Sequence, residues 1–358
     1  MSVLKKRLQL LASFSALVLL VTSFGCGGGP GGPGGTVSLQ GAGATFPNPL
    51  YQKWLSEYGK LHPNMRIDYQ SIGSGGGIKQ LKEQTVDFGA SDAPMKDDDL
   101  KSAPGEILHI PTVLGAVVIT YNLPGLNNPL RFSSDVLADI FLGKITKWND
   151  ARIAADNSGV TLPANDITVV YRSDGSGTSA VFTDYLSKVS SEWKEKVGAG
   201  TSPRWPVGLG AKGNEGLTGQ VKNTPNTIGY VELAYAVQNK LPVAHIKNAG
   251  GAFVEPTIES VTAAAAASAG STPDDLRVSI TNAAGPTAYP IASYTYILVY
   301  KEQRDAAKGK ALVDFLWWGI HDGEAFAKDL QYAPLPADIV TRAESKINSI
   351  TAGGTRLR

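Results

Sequence analysis

Three short clusters of Gly, Ser and Thr are the residues of this chain best suited to chemistry. They read Gly41-Ala-Gly43-Ala-Thr45-Phe46-Pro47, Gly73-Ser74-Gly75-Gly76-Gly77 and Arg172-Ser-Asp174-Gly175-Ser176-Gly177-Thr178-Ser179. Each runs ahead of a stretch with helical periodicity. Glycine lets a ligand approach the main chain. The first turn of a helix leaves N–H donors unpaired and carries a positive partial charge, and the hydroxyls add further donors. Such a set makes an anion site with few positive side chains. The same residues also serve as N-caps and turns, so a single cluster carries little weight. Three clusters, one with Arg172 adjoining, favour the anion.

Enzyme motifs fare worse. Gly208-Leu-Gly210-Ala-Lys-Gly213 fits GxGxxG and Gly175 to Ala180 fits GxGxxA, but neither has a dinucleotide-binding context, and glycine is common enough to give such matches by chance. Gly143-Lys144 lacks a Walker pattern, with Ala138 and Ile145 where Gly and Ser or Thr are needed. Ser74 and Ser176 lie outside GxSxG, with no His placed by sequence as their base. Asp97, Asp98 and Asp99 carry no EF-hand spacing and read as a solvated helix start.

The elements that must hold these clusters alternate. Strand-like runs fall at 37–39, 66–69, 88–90, 115–121, 167–171, 228–231 and 294–300. Helix-like runs fall at 49–61, 77–83, 134–142, 178–189, 214–221, 258–269, 305–318 and 323–330. Interleaving of this kind predicts α/β architecture with largely parallel sheets. Boundaries are placed near 111–115 and 286–290, which leaves two chain segments joining two lobes and a cleft between them. The last dozen residues read as a frayed tail.

Composition bounds the rest. The chain has 358 residues, 18% charged and 42% hydrophobic, with a formal net charge of +1. That balance belongs to a globular protein and excludes a generally basic nucleic-acid binder. A single cysteine excludes an internal disulfide framework, a Cys-based zinc site and an iron–sulfur cluster. Lys5, Lys6 and Arg7 precede an apolar run from 8 to 24, then Gly25 and Cys26, which describes an export signal over 1–25. A Cys in that place suggests lipid attachment at Cys26, although Ser23 and Phe24 depart from the commoner residues. An uncleaved anchor and a plainly cleaved signal are the alternatives. Residues 26–36, rich in Gly and Pro, read as a tether. Removal of 1–25 takes the formal charge from +1 to −2, so global attraction to phosphate backbones or anionic membranes is not expected.

Seven segments carry a resemblance: GAGATFPNPLYQKW from Gly41, YQSIGSGGGIKQL from Tyr69, VDFGASDAPM from Val86, IFLGKITKWND from Ile140, VVYRSDGSGTS from Val169, WPVGLGAKGNEG from Trp205 and IGYVELAYA from Ile228. In this order, over roughly 37–335, the chain resembles the phosphate-specific binding proteins of ABC importers. The resemblance implies a two-lobed, type II-like periplasmic-binding-protein fold. Each lobe would be a mainly parallel sheet flanked by helices, with two crossing hinge segments. Lobe I would comprise 37–114 plus 291–358 and lobe II 115–290. It further implies one phosphate between the lobes, touched by Thr45, Phe46 and Ser74 on one side and by Arg172, Ser176, Gly177 and Thr178 on the other. Asp92 would accept a proton-bearing phosphate oxygen, and Asp174 would orient Arg172. Gly75 stands where many members have Ser, and Tyr171 stands where a second Arg can occur.

The chemistry of the residues agrees with this. A buried dianion needs many donors, and an acid beside it makes sense when the anion still carries hydrogen, as phosphate does and sulfate does not. The function implied is a non-catalytic receptor, outside the cytoplasm and lipid-tethered, that delivers phosphate to inner-membrane permease subunits. It would act as a monomer without cofactor, metal or nucleic acid. Competing readings are a receptor for another tetrahedral oxyanion (sulfate, molybdate or arsenate, of which Asp92 argues against the first two), an extracellular phosphatase using Ser74 or Ser176, and an adhesin or sensor.

Overall fold

The structure, a computed structural model, describes residues 36–126 and 128–358. The export signal, Cys26 and the tether up to residue 35 lie outside the described residues. Among the described residues no helix is long and apolar enough to cross a membrane.

The architecture is an eight-stranded sheet with helices packed on it. Its strands run in the spatial order Met65–Ser71, Val37–Gly43, Phe88–Ser91, Ala292–Tyr300, Ile107–Asn122, Thr227–Glu232, Thr168–Arg172 and Leu209–Ala211. The first three are parallel to one another, and so are the last three. Ala292–Tyr300 and Ile107–Asn122 lie between these blocks and pair antiparallel with each other and with their neighbours. The expected α/β fold with mainly parallel blocks is therefore present.

The joint between the blocks differs from the sequence reading. The sequence places a boundary near 111–115, where one strand-like run gives way to another that starts at Gly115. Instead Ile107–Asn122 is one strand of 16 residues. Its first part pairs with Ala292–Tyr300 and its second part, from Val117 on, with Thr227–Glu232. A bulge opposite Thr295 and Tyr296 leaves Thr112 as the extra residue, a local irregularity next to which Pro111 is tolerated. All positions of the strand but Asn122 are buried, which accounts for its continuous apolar reading.

Three local readings also change. Ser74, Gly75 and Gly76 were placed ahead of a helix and form its first turn, the helix running over Ser74–Lys82. The tail is not frayed. Thr351–Ala352 and Thr355–Arg356 form a hairpin that pairs with Glu302–Gln303, and the Arg358 guanidinium sits 3.6 Å from the centroid of the Trp317 ring. The expected helix at 323–330 is two 3-10 turns, Asp322–Phe326 and Lys328–Leu330.

Candidate functional site

Both parallel blocks end their strands towards the same region, the usual place for a ligand in α/β sheets. Gly43 leads into Thr45 and Phe46, Ser71 into Ser74, Ser91 into Asp92, Arg172 into Ser176 and Ala211 into Asn214. Four helices start there, Asn48–Leu61, Ser74–Lys82, Gly177–Val189 and Gly213–Asn223. No side chain caps the first, second or fourth, so their first-turn N–H groups are not met by an N-cap side chain. In the third, Ser176 accepts from Ser179 N–H.

The two sides approach closely. Gly75 N–H donates to Gly175 O at 2.8 Å. A Cβ added at Gly177 would lie 2.3 Å from Ser74 Oγ and 2.5 Å from Asp92 Oδ2. Only glycine lets the start of Gly177–Val189 face Ser74 and Asp92 directly. Asn214 bridges the sides by donating from Nδ2 to Thr45 Oγ1 at 2.7 Å and Thr178 Oγ1 at 3.1 Å. Thr45, Ser74, Asp92, Arg172, Ser176, Gly177 and Thr178 are all buried. Phe46 is buried too and can offer the cleft its main chain.

Arg172 is held from three directions. Nε and Nη2 donate as a fork to Asp174 at 2.7 and 2.6 Å, the bidentate geometry that fixes a guanidinium plane. Nη1 donates to Thr178 Oγ1 at 3.3 Å, and the backbone N–H donates to Tyr230 OH at 3.0 Å. Burial pushes the Asp174 carboxyl upward, but the bonds and charge of Arg172, with Gly213 N–H, outweigh it and hold the group below its ordinary value. Trp205 and Phe182 stack on Tyr230.

Asp92 lies among these donors with one oxygen unpaired. Oδ1 accepts from Thr295 Oγ1 at 2.9 Å, whereas Oδ2 is buried with no partner among the described residues. Burial pushes its pKa from 3.8 up to about 7, against the lowering effects of Thr295, Arg172 and Ser74. A native pKa above the unfolded one means the native state holds the proton more tightly. Stability is then lost as pH rises from the unfolded value through the native one. Between pH 5 and 8 the loss from this group is roughly 2–3 kcal/mol. Asp92→Asn is expected to shrink the pH 5-to-8 fall in unfolding free energy of the ligand-free chain by about that amount. Denaturant unfolding at the two pH values checks it, and an unaltered fall would remove Asp92 as the titrating group.

Sequence reasoning missed Asn214 and Thr295 at this site, whereas Tyr230, which accepts the Arg172 N–H, reads from the sequence as core packing or cleft lining. Asn214 lies just after the Gly208–Gly213 motif. That motif turns from the strand Leu209–Ala211 into the helix Gly213–Asn223, and its Gly213 N–H donates to Asp174 Oδ1 at 3.0 Å. Strand–glycine–helix is a usable local signal for this further helix start. Thr295 lies inside the buried strand Ala292–Tyr300 with no local mark. Asp97 pairs with Arg277 and Asp99 with Lys82, as a solvated helix start does. His109 accepts Met95 N–H at 3.0 Å through Nε2, and burial pushes its pKa down to about 3.

A family profile described as the PBP superfamily domain matches residues 30–317. The chain is 47% identical over 311 residues to the phosphate-binding protein PstS of Xylella fastidiosa (strain 9a5c), across 87% of this chain and 85% of that relative. It is 40% identical over 378 residues to the phosphate-binding protein PstS of Methanocaldococcus jannaschii, across 97% of this chain and 96% of that relative. Among solved structures, a high-affinity periplasmic phosphate-binding protein bound with phosphate at pH 8.5 shares the fold. Its TM-score is 0.69 at 21% identity, over 89% of this chain and 97% of that one. An ABC-type phosphate transport receptor from Vibrio cholerae gives a TM-score of 0.55 at 17% identity, over 83% and 100% of the two chains.

Proposed function

We propose, for a chain that belongs to the PstS phosphate-binding proteins of ABC phosphate transport, that inorganic phosphate is held where the four helix starts converge. Main-chain N–H groups around Thr45, Phe46 and Gly177, with the hydroxyls of Thr45, Ser74, Ser176 and Thr178, neutralise the anion together with the Arg172 guanidinium. The observation that carries the reading is the partnerless Oδ2 of Asp92, buried beside Gly177 at a helix N-terminus. A buried acceptor among anion donors is costly unless the anion brings its own hydrogen, and phosphate near neutral pH does. Asp174 orients Arg172 and balances its charge.

The two sides of the site belong to lobes of 37–114 plus 291–358 and of 115–290. The chain crosses between them inside Ile107–Asn122 and beside Ala292, where Val117 N–H donates to Ile291 O at 2.9 Å. Hinge closure there would bring Gly75 to Gly175 and Thr45 to Asn214, and a permease would distinguish that closed face from an open one. The protein works outside the cytoplasm, tethered through Cys26 and its Gly/Pro-rich arm, and hands phosphate to permease subunits in the membrane.

Titration calorimetry at pH 7 is expected to give one phosphate per chain and no measurable sulfate binding at the same concentrations. A chromogenic phosphate ester, with and without divalent metal, should not be hydrolysed. Equal sulfate binding would overturn the specificity, and steady hydrolysis would point to a phosphatase.

A further inference from the structure

Three consecutive carbonyls in the first cluster each receive a tyrosine hydroxyl. Tyr69 OH donates to Ala44 O at 2.6 Å, Tyr235 OH to Thr45 O at 2.6 Å and Tyr332 OH to Phe46 O at 2.7 Å. The donors come from distant places: the strand Met65–Ser71, the helix Leu233–Gln238 and the segment that follows the 3-10 turn Lys328–Leu330. Each phenol has a second environment. Tyr235 OH shares its proton with Glu215 Oε1 at 2.9 Å, and Tyr332 OH lies 3.1 Å from Glu232 Oε2. Tyr69 stacks on Phe88 and meets Tyr51 edge-on.

A peptide plane links these bonds to the site. In a trans peptide the C=O of one residue and the N–H of the next point in opposite directions, and no cis peptide occurs among the described residues. Pinning Ala44 O therefore aims Thr45 N–H the other way, and pinning Thr45 O does the same for Phe46 N–H. The third plane differs, because Phe46 is followed by Pro47, which has no N–H.

We propose that Tyr69 and Tyr235 are positioning residues for phosphate, aiming the main-chain N–H groups of Thr45 and Phe46 at the anion, while Tyr332 holds a plane with no donor to aim. Tyr235 comes from the side of the site opposite Thr45, so its bond also ties the two sides together. This inference rests on the reading of the site given above. The plainer role, satisfying three buried carbonyls, makes a different forecast. It predicts losses that follow burial, and Tyr332 is the most buried of the three.

Tyr69→Phe, Tyr235→Phe and Tyr332→Phe keep the rings and delete the hydroxyls. With inorganic phosphate as the probe, calorimetry should show the first two weakened about fivefold to twentyfold and Tyr332→Phe weakened less than about twofold. Unfolding midpoints, measured alongside, should fall at least as far in Tyr332→Phe as in the others. Tyr300→Phe, whose hydroxyl donates to Leu81 O at 2.9 Å outside the site, should bind as the parent does. It replaces the Tyr332 comparison if that variant does not fold. Equal affinity losses at all three positions, or none at Tyr69 and Tyr235, would overturn the proposal. Arg172→Ala in the same series separates the two levels. If it binds phosphate normally, the reading of the site fails. If it loses phosphate while the tyrosine variants do not, only the tyrosine proposal fails.

Discussion

Arg172→Ala is expected to weaken phosphate binding by at least about a hundredfold, because truncating a buried, hydrogen-bonded charge at an interface costs about 2–5 kcal/mol or more. Two effects combine. The anion loses the one guanidinium placed among its donors, and the Asp174 carboxylate, 10% exposed, loses its bidentate partner and faces the site as an uncompensated negative charge. Arg172→Lys should fall between, since an ammonium keeps the charge but cannot fork onto Asp174 while reaching the anion. Arg131→Ala and Arg204→Ala remove exposed arginines, and each should leave affinity within about twofold of the parent. Calorimetry of the four variants decides the matter. Equal losses at Arg172, Arg131 and Arg204 would mean that the third Gly/Ser/Thr cluster has been misread.

Asp92→Asn is expected to change which anion is accepted more than how tightly phosphate is held. In the parent, Thr295 occupies Oδ1 and leaves Oδ2 unpaired, which in the proposed site would accept from a proton-bearing oxygen. Sulfate offers only lone pairs to that oxygen, and a selectivity of about 10⁴ corresponds to about 5 kcal/mol, within reach of an unpaired buried acceptor set against an anion. The amide that Asp92→Asn introduces can instead turn a donor towards the anion. Sulfate affinity should rise about tenfold to a hundredfold, with phosphate lowered by less than about tenfold. The raised pKa of Asp92, about 7, adds a pH signature. As pH falls from 8 to 5 the protonated carboxyl can itself donate, so sulfate binding to the parent should strengthen, and this dependence should vanish in Asp92→Asn. An unaltered phosphate-to-sulfate ratio would remove Asp92 from the selectivity.

Much of the candidate site was legible locally. The three clusters signal helix starts through residue types that act within a few positions, and Arg172 and Asp174 stand two residues apart in one loop. Alternation of strand and helix periodicity gave the α/β class for the same reason, since period and turn chemistry are short-range. The strand Ile107–Asn122 begins eight residues before the Gly115 start read from the sequence, because its first part is fixed by pairing with the distant strand Ala292–Tyr300. The C-terminal hairpin was missed because its pairing partner, Glu302–Gln303, lies some fifty residues earlier.

The sequence by itself determined the parts: glycine-rich helix starts, Arg172 with Asp174 two residues on, and, through the family resemblance, Asp92 as the acid of the proposed site. The tertiary structure alone decided which groups complete them. Asn214 reaches Thr45 across 169 positions, Thr295 turns Asp92 from 203 positions away, and the Phe46 carbonyl is held by a tyrosine 286 positions on. These bonds follow from which strands end beside which. That order is set by burying the apolar faces of the whole sheet, a property no short stretch of the chain carries.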